Sequence, residues 1–303
     1  VLNRRDFFLN SFSLLAASSS SSLFRDETQA LRIKNINLSF SDLPSAFEGF
    51  KIGFLSDPHI GDCSSSALLE TAVDLCNQAK PDLVILGGDY INSLDQGLNR
   101  FFYHYRYSSL NSCQSQTPDF KQSLELGKTY FQKAAEICSR LNPKEGVLAV
   151  MGNHDRWNSK ENCEAAFKAN QIKLLINQEI DIDRNGQILN IVGVDDYSTG
   201  LPQIPSSTEN FRILVSHNPD FLEEIGSVSG FSLGLCGHTH GGQILIPGIG
   251  ALFSNIKYSK LIQGLNLTTS GQTVYTSAGI GTSGLPIRIN CPPELSILTL
   301  NRA

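Results

Sequence analysis

Charge is scarce in this 303-residue chain, and basic charge scarcer still: 17% of residues are charged, with 24 Lys+Arg against 29 Asp+Glu and a net charge of -5. Such a balance lacks the basic excess of a non-specific nucleic-acid binder, so no nucleic-acid partner is expected. A polyanionic substrate held through metal ions stays open. The seven cysteines (Cys63, Cys76, Cys113, Cys138, Cys163, Cys236 and Cys291) include no C-x-x-C pair and no short disulfide framework. They read as ordinary buried thiols, which leaves histidine and oxygen groups to hold any metal. No apolar run reaches the about 20 residues that a membrane-spanning helix needs. A hydrophobic fraction of 41% with a mean hydropathy of -0.10 excludes a polytopic membrane protein, a disordered chain and a fibrous repeat.

The first 30 residues stand apart. Asn3-Arg4-Arg5-Asp6-Phe7-Phe8-Leu9 precedes an apolar run from Phe12 to Ala17 and a serine tract from Ser18 to Ser22. The arginine pair, nearby phenylalanine and short apolar stretch resemble a twin-arginine export leader; the alternative is a basic amphipathic tail touching a membrane surface. Either reading makes the protein membrane-associated, exported or peripheral on the cytoplasmic face of the inner membrane. From Leu31 onward no charge run, repeat or Pro-rich linker divides the chain, so residues 31–303 read as one domain.

Within it, Leu31, Ile33, Ile36 and Leu38 open an edge strand. Short apolar runs then recur at Lys51–Ser56, Leu83–Gly87, Val147–Met151, Ile188–Val194, Phe211–Ser216, Leu233–Cys236, Val274–Ser277 and Leu295–Leu300. Bounded by Gly, Pro, Asn or Asp, they read as buried strands. One helical period uses Ala67, Leu68, Val73, Leu75 and Cys76 and stops at Lys80-Pro81. Another uses Leu124, Phe131, Ala134, Ile137, Cys138 and Leu141 and closes by Pro143. Alternating strand and helix early, then strand after strand late, predicts a layered α/β fold with mixed sheets.

Ligands in open α/β sheets bind beyond the carboxyl ends of the strands. Here those ends carry Asp57-Pro58-His59, Gly88-Asp89, Gly152-Asn153-His154-Asp155, His217-Asn218 and Gly237-His238-Thr239-His240. Five strands thus deliver metal-competent side chains to one sheet edge, and of the six histidines only His104 lies elsewhere.

These ordered blocks, D-x-H, G-D, G-N-H-D, H and G-H-x-H, resemble the signature of the calcineurin-like metallophosphoesterase superfamily. Ser216-His217-Asn218-Pro219-Asp220 and the tail from Gly281 through Arg288 to Glu294 resemble, more narrowly, bacterial phosphohydrolases that often carry twin-arginine leaders. The resemblance implies a four-layer α/β/β/α sandwich with two mixed sheets. It also implies two divalent ions, manganese first, with iron or zinc as alternatives. Asp57, His59 and His240 would hold the first ion and Asn153, His217 and His238 the second, with Asp89 bridging. Such a pair activates a water for in-line attack on phosphorus. His154 would stabilise the transition state or protonate the leaving oxygen. Asp155 would either orient His154 or cap the following helix, and Arg156 would meet a phosphate oxygen or stay solvated.

Two departures matter. Pro58 stands inside D-x-H and should press Asp57 toward an extended backbone. No Asp-Arg pair comes after Gly88-Asp89, which argues against a phosphoprotein phosphatase. Residues 91–120, with the aromatic-basic run Arg100 to Tyr107, and 244–272, with the apolar run Ile244 to Phe253, read either as cap segments facing acyl chains or a membrane or as loops whose apolar residues pack onto the domain. The expected substrate is a phosphate-containing small molecule or lipid-linked nucleotide, cleaved at a phosphodiester or pyrophosphate bond. UDP-2,3-diacylglucosamine, yielding UMP, is the leading candidate, with an exported envelope phosphodiesterase as the alternative. Outside catalysis, the options are a non-catalytic scaffold on this fold or a membrane-surface binding protein.

Overall fold

In the computed structural model, described over residues 24–61, 66–92, 120–206, 211–226, 230–252 and 254–303, strands and helices first alternate. The order begins β1 (Arg32–Phe40), β2 (Phe50–Leu55), α1 (Ala67–Ala79), β3 (Leu83–Leu86), α2 (Phe120–Cys138), β4 (Val147–Ala149) and α3 (Asn153–Ala169). It continues with β5 (Lys173–Leu174), β6 (Gln178–Arg184), β7 (Gln187–Gly193), β8 (Phe211–Val215), α4 (Pro219–Glu224) and β9 (Leu233–Cys236). A small hairpin of β10 (Leu245–Ile246) and β11 (Gly250–Ala251) comes next, then β12 (Gly264–Leu267), β13 (Thr273–Thr276) and β14 (Glu294–Arg302).

The strands form two mixed six-stranded sheets, ordered β1-β14-β2-β3-β4-β5 and β12-β13-β9-β8-β7-β6. In the first sheet β2, β3, β4 and β5 run parallel, while β14 lies antiparallel to β2 and parallel to β1. In the second, β13, β9, β8 and β7 run parallel, flanked by antiparallel β12 and β6.

The strand period of two builds the layers. On β3, Leu83 and Ile85 face the second sheet, where they join Phe54, Leu189, Ile191, Ile213 and Leu235 in the central core. Val84 and Leu86 face the other way, against Val73 and Cys76 of α1, Phe131 and Ala134 of α2, and Phe167 of α3. On α1 the buried residues are Leu69, Ala72, Val73 and Cys76, a stripe at helical spacing, and the helix ends at left-handed Lys80 before Pro81. The outer face of the second sheet is covered more thinly, by Phe221 and Leu222 of α4 together with Phe231 and Leu261. The α/β/β/α sandwich is therefore present, with a heavy helical layer on one side and a light one on the other.

The expected edge strand, all eight apolar runs and both helical periods lie in or on regular elements. Strands β5, β6, β10, β11 and β12 and helices α3 and α4 come in addition. Five cysteines (Cys76, Cys138, Cys163, Cys236 and Cys291) are buried free thiols. Residues 25–30, read with the leader, are pinned to the domain: Asp26 bridges to Ile289, and Glu27 N–H donates to Arg288 O at 2.9 Å. Most of the leader (1–23), most of the first cap segment (93–119) and His104 lie outside the described residues. The second cap segment is divided: Leu261 is buried, whereas Ile249 is 76% and Leu252 42% exposed. Among the described residues no helix is long and apolar enough to cross a membrane.

Phe54 is fully buried between the sheets. Phe54→Ala is expected to lower the unfolding free energy by about 3–5 kcal/mol, read as a fall in the urea midpoint at unchanged slope.

Candidate metal centre

Where β2 ends, the chain turns sharply through Asp57-Pro58-His59. Asp57 and His59 adopt φ of 55° and 48°, and Asp89, His238 and His240 adopt 55°, 70° and 52°. Left-handed backbone at a non-glycine residue costs about 1–3 kcal/mol and persists only where surroundings enforce it. Here they do. Asp57 N–H donates to Gly88 O at 3.0 Å, Gly281 N–H donates to Asp57 O at 2.7 Å, and His59 N–H donates to Asp89 O at 3.1 Å. The extended backbone expected at Asp57 ahead of Pro58 is thus not found, because these tertiary bonds outweigh the local proline preference.

The turns converge. His59 Nε2 lies 3.4 Å from Asp89 Oδ2 and 3.9 Å from Asp57 Oδ1. His240 Nε2 lies 3.6 Å from Asp57 Oδ1 and 3.0 Å from His59 Nε2. On the other side, His217 Nε2 is 3.2 Å from Asp89 Oδ2 and 4.0 Å from Asp57 Oδ1. Donor atoms of Asp57, His59 and His240 fall within 4.8 Å of one another, as do those of Asp89, His217 and His238, and those of His59, Asp89 and His154. Asp57, His59 and His240 of the first expected group thus lie together, as do His217 and His238 of the second, with Asp89 facing both sets and His154 beside them.

Buried lone pairs test whether cations fit. Asn153 Oδ1 and His238 Nδ1 are buried without a hydrogen-bond partner. An unsatisfied buried polar atom is costly, and a lone pair of this kind is what an oxygen- and nitrogen-ligated ion would satisfy. His217 Nδ1 sits 2.7 Å from Gly87 O, so that nitrogen carries a proton, and Nε2 faces Asp89. The residues fit a pair of divalent ions.

Electrostatics point the same way. Burial and then neighbouring cationic groups push His59 and His240 well below the ordinary imidazole range. Burial brings His238 down to about 3 and lowers His154. These rings are neutral at pH 7, as ligands must be. His217 differs: burial opposes its charge, but the carboxylates of Asp89 and Asp57 outweigh burial and raise it well above the ordinary value. Asp57 is raised to about 6, first by burial, while Asp89, despite burial, is held low by His217 and His154.

Glycines permit the close approach. A Cβ on Gly152 would sit 2.1 Å from Asp89 Oδ1, and one on Gly237 would sit 1.9 Å from Ser56 Oγ and 2.4 Å from Asp57 Oδ2. The glycines of G-N-H-D and G-H-x-H are therefore steric requirements of the carboxylates they face.

Two expected residues serve elsewhere. Asp155 is fully buried, and its carboxylate accepts N–H bonds from Asp89 (2.8 Å), Tyr90 (2.8 Å) and Gly152 (2.9 Å). It caps α3 and clamps two site loops together, so the capping alternative is the one its contacts carry. Arg156 neither stays solvated nor points free: its Nη1 bonds both oxygens of Asp195 at 2.7 and 2.9 Å.

Two further residues have no reading in the sequence, and a third, Arg288, enters it only within the tail resemblance and without a role. Asp195 and Asp196 come just after β7, as the other site residues come after their strands, so the same strand-end rule reaches them. Asp196 is buried, bonds Thr199 through Oδ2 and leaves Oδ1 without a partner. Arg288, fully buried, donates to carbonyls of Ala278, Gly281 and His240, fastening the tail to the G-H-x-H loop. A buried arginine in a tail loop has no periodic signal in one sequence.

The family model described as calcineurin-like phosphoesterase matches residues 50–242, which takes in every residue assigned to the centre. The chain is 31% identical over 256 residues to phosphodiesterase YaeI of Escherichia coli, covering 83% of this chain and 82% of that one. It is 26% identical to the metallophosphoesterase YkuE of Bacillus subtilis, over 99% and 98% of the two chains. A metallophosphoesterase of Aquifex aeolicus is 24% identical over 90% and 93%.

Because His217 is held protonated without a cation, loading its side of the centre must displace that proton. Metal affinity is expected to fall as pH drops, and calorimetric titration at pH 7 in buffers of different ionisation enthalpy should show about one proton released. In His217→Gln protein that release should vanish.

Proposed function

The chain belongs to the calcineurin-like phosphoesterase family and is a hydrolase of phosphoester bonds, and from that premise we propose that it cleaves a phosphodiester or pyrophosphate through a dinuclear centre. One observation carries the reading: two buried carboxylates and the imidazoles of His59, His217, His238 and His240 meet at strand ends, with lone pairs of Asn153 and His238 left unsatisfied. Asp57, His59 and His240 would hold one ion and Asn153, His217 and His238 the other, with Asp89 facing both sets; manganese would suit this nitrogen and oxygen set. When bound, such ions supply a hydroxide near neutral pH and offset the charge on phosphate oxygens.

The remaining work falls to the chain. The His154 ring packs edge-on to His59 at 4.6 Å, and its backbone N–H donates to Asp89 Oδ1 at 2.8 Å. Kept neutral by burial, it donates a hydrogen bond from its N–H to the phosphate or to the leaving oxygen, offsetting the negative charge that grows there as the P–O bond breaks. Asp155 and Arg156 are positioning residues.

For substrate we propose UDP-2,3-diacylglucosamine. Water adds across the pyrophosphate, releasing UMP and the acylated glucosamine 1-phosphate. Support comes from the β10–β11 hairpin just after His240, which exposes Ile249 and Leu252, apolar surface of the kind that meets an acyl chain or a membrane. The arginine pair Arg4-Arg5 favours a second reading, an exported envelope phosphodiesterase with another substrate; the mature N-terminus and cell fraction decide between them.

Manganese-loaded protein should hydrolyse bis-p-nitrophenyl phosphate and release UMP from the lipid nucleotide. His154→Ala should lower kcat about 100- to 10,000-fold while metal content stays at wild-type level. Diester turnover without UMP would remove the lipid substrate and keep the enzyme class.

A further inference from the structure

Trp157 is the single tryptophan of the chain and, at 51% exposure, the only exposed aromatic ring among the described residues. Leaving the largest apolar side chain half in water forfeits stabilising burial. Its place is specific. Trp157 lies three residues beyond His154 near the start of α3, so the two share a helix face. Their ring centroids are 5.0 Å apart at 58°, and His154 in turn contacts His59 of the metal centre. Two ring contacts thus lead from His59 to the tryptophan.

The turn that presents it is braced. Ser159 breaks the helix with φ -174° and ψ 114°, setting residues 153–158 apart from the rest of α3. Asn158 Nδ2 ties that turn to His154 O at 2.8 Å and to Asn92 O at 3.3 Å. On its other side the Arg156–Asp195 pair anchors it to the loop after β7, where Leu201 N–H also donates to Asp195 at 3.1 Å. A rigid, half-exposed indole held next to a phosphate site is preorganised for stacking.

We propose that Trp157 is the stacking platform of a nucleobase subsite, receiving the base of a nucleotide whose phosphate sits at the metal centre. The inference rests on the phosphohydrolase reading and deepens it. An indole face accepts any base by stacking, so the subsite selects nucleotidyl over plain sugar or alkyl phosphates without fixing which base.

The lone tryptophan makes the test direct. In zinc-loaded protein, which avoids paramagnetic quenching, UMP should quench Trp157 fluorescence saturably and bind about ten-fold or more tightly than ribose 5-phosphate. By calorimetry Trp157→Ala should lose that ten-fold for UMP, keep wild-type affinity for inorganic phosphate, and be largely rescued by Trp157→Phe. Equal binding of UMP and ribose 5-phosphate, or UMP affinity unchanged in Trp157→Ala, would overturn the platform. Turnover of bis-p-nitrophenyl phosphate by manganese-loaded wild-type protein separates the two ideas. If it proceeds while UMP affinity ignores Trp157, the platform alone falls; if it fails while Trp157-dependent UMP binding holds, the hydrolase reading alone falls.

Discussion

Two carboxylates, Asp57 and Asp89, sit almost wholly out of water and a few ångströms from each other's imidazole partners. Such charge is expensive to bury, and burial in this arrangement is stable only when cations share the space. Much of the local architecture is a means of enforcing that approach. Left-handed backbone at Asp57, His59, Asp89, His238 and His240 brings side chains round abruptly at strand ends. Gly152 and Gly237 remove the Cβ atoms that would collide with the carboxylates. Asp155 gathers three N–H groups from two loops, and Arg288 gathers carbonyls from two others. The strain is distributed, and the sheets supply the rigidity that holds it.

The two sheets contribute unequally. The first supplies Asp57 and His59 after β2, Asp89 after β3 and Asn153 at the start of α3, backed by three long helices. The second supplies His217 after β8 and both His238 and His240 after β9, backed only by α4 and loops. Each set of ligands draws from both sheets, so the centre also joins the halves of the sandwich. Loading it should therefore couple to the packing of the central core, where Phe54 and Ile85 meet Ile213 and Leu235.

Much of this was legible in the sequence. Continuous apolar runs such as Leu83–Leu86 announce central strands because both faces are buried, and the polar residues immediately after each run mark the rim. Strand β6 (Gln178–Arg184) was hidden because an edge strand of Gln, Glu and Asp lacks that signal, and β5 has two residues. Pro58 misled because its local preference is small beside three tertiary hydrogen bonds. Asp155 and Arg156 were placed near the chemistry by adjacency to His154. On a helix, though, neighbours in sequence point in different directions, so one meets backbone N–H groups and the other Asp195.

Strand β14 closes on a different point. It lies between β1 and β2 in the first sheet, nine residues long, from Glu294 to Arg302. Until a ribosome has released those residues, β1 has no neighbour and β2 lacks one edge, although every other strand has already emerged. The catalytic sheet thus cannot assemble in order of synthesis. Its completion waits on the last of its strands to be made, a long-range pairing of the kind that folds slowly and leaves unpaired edges exposed to chaperones meanwhile.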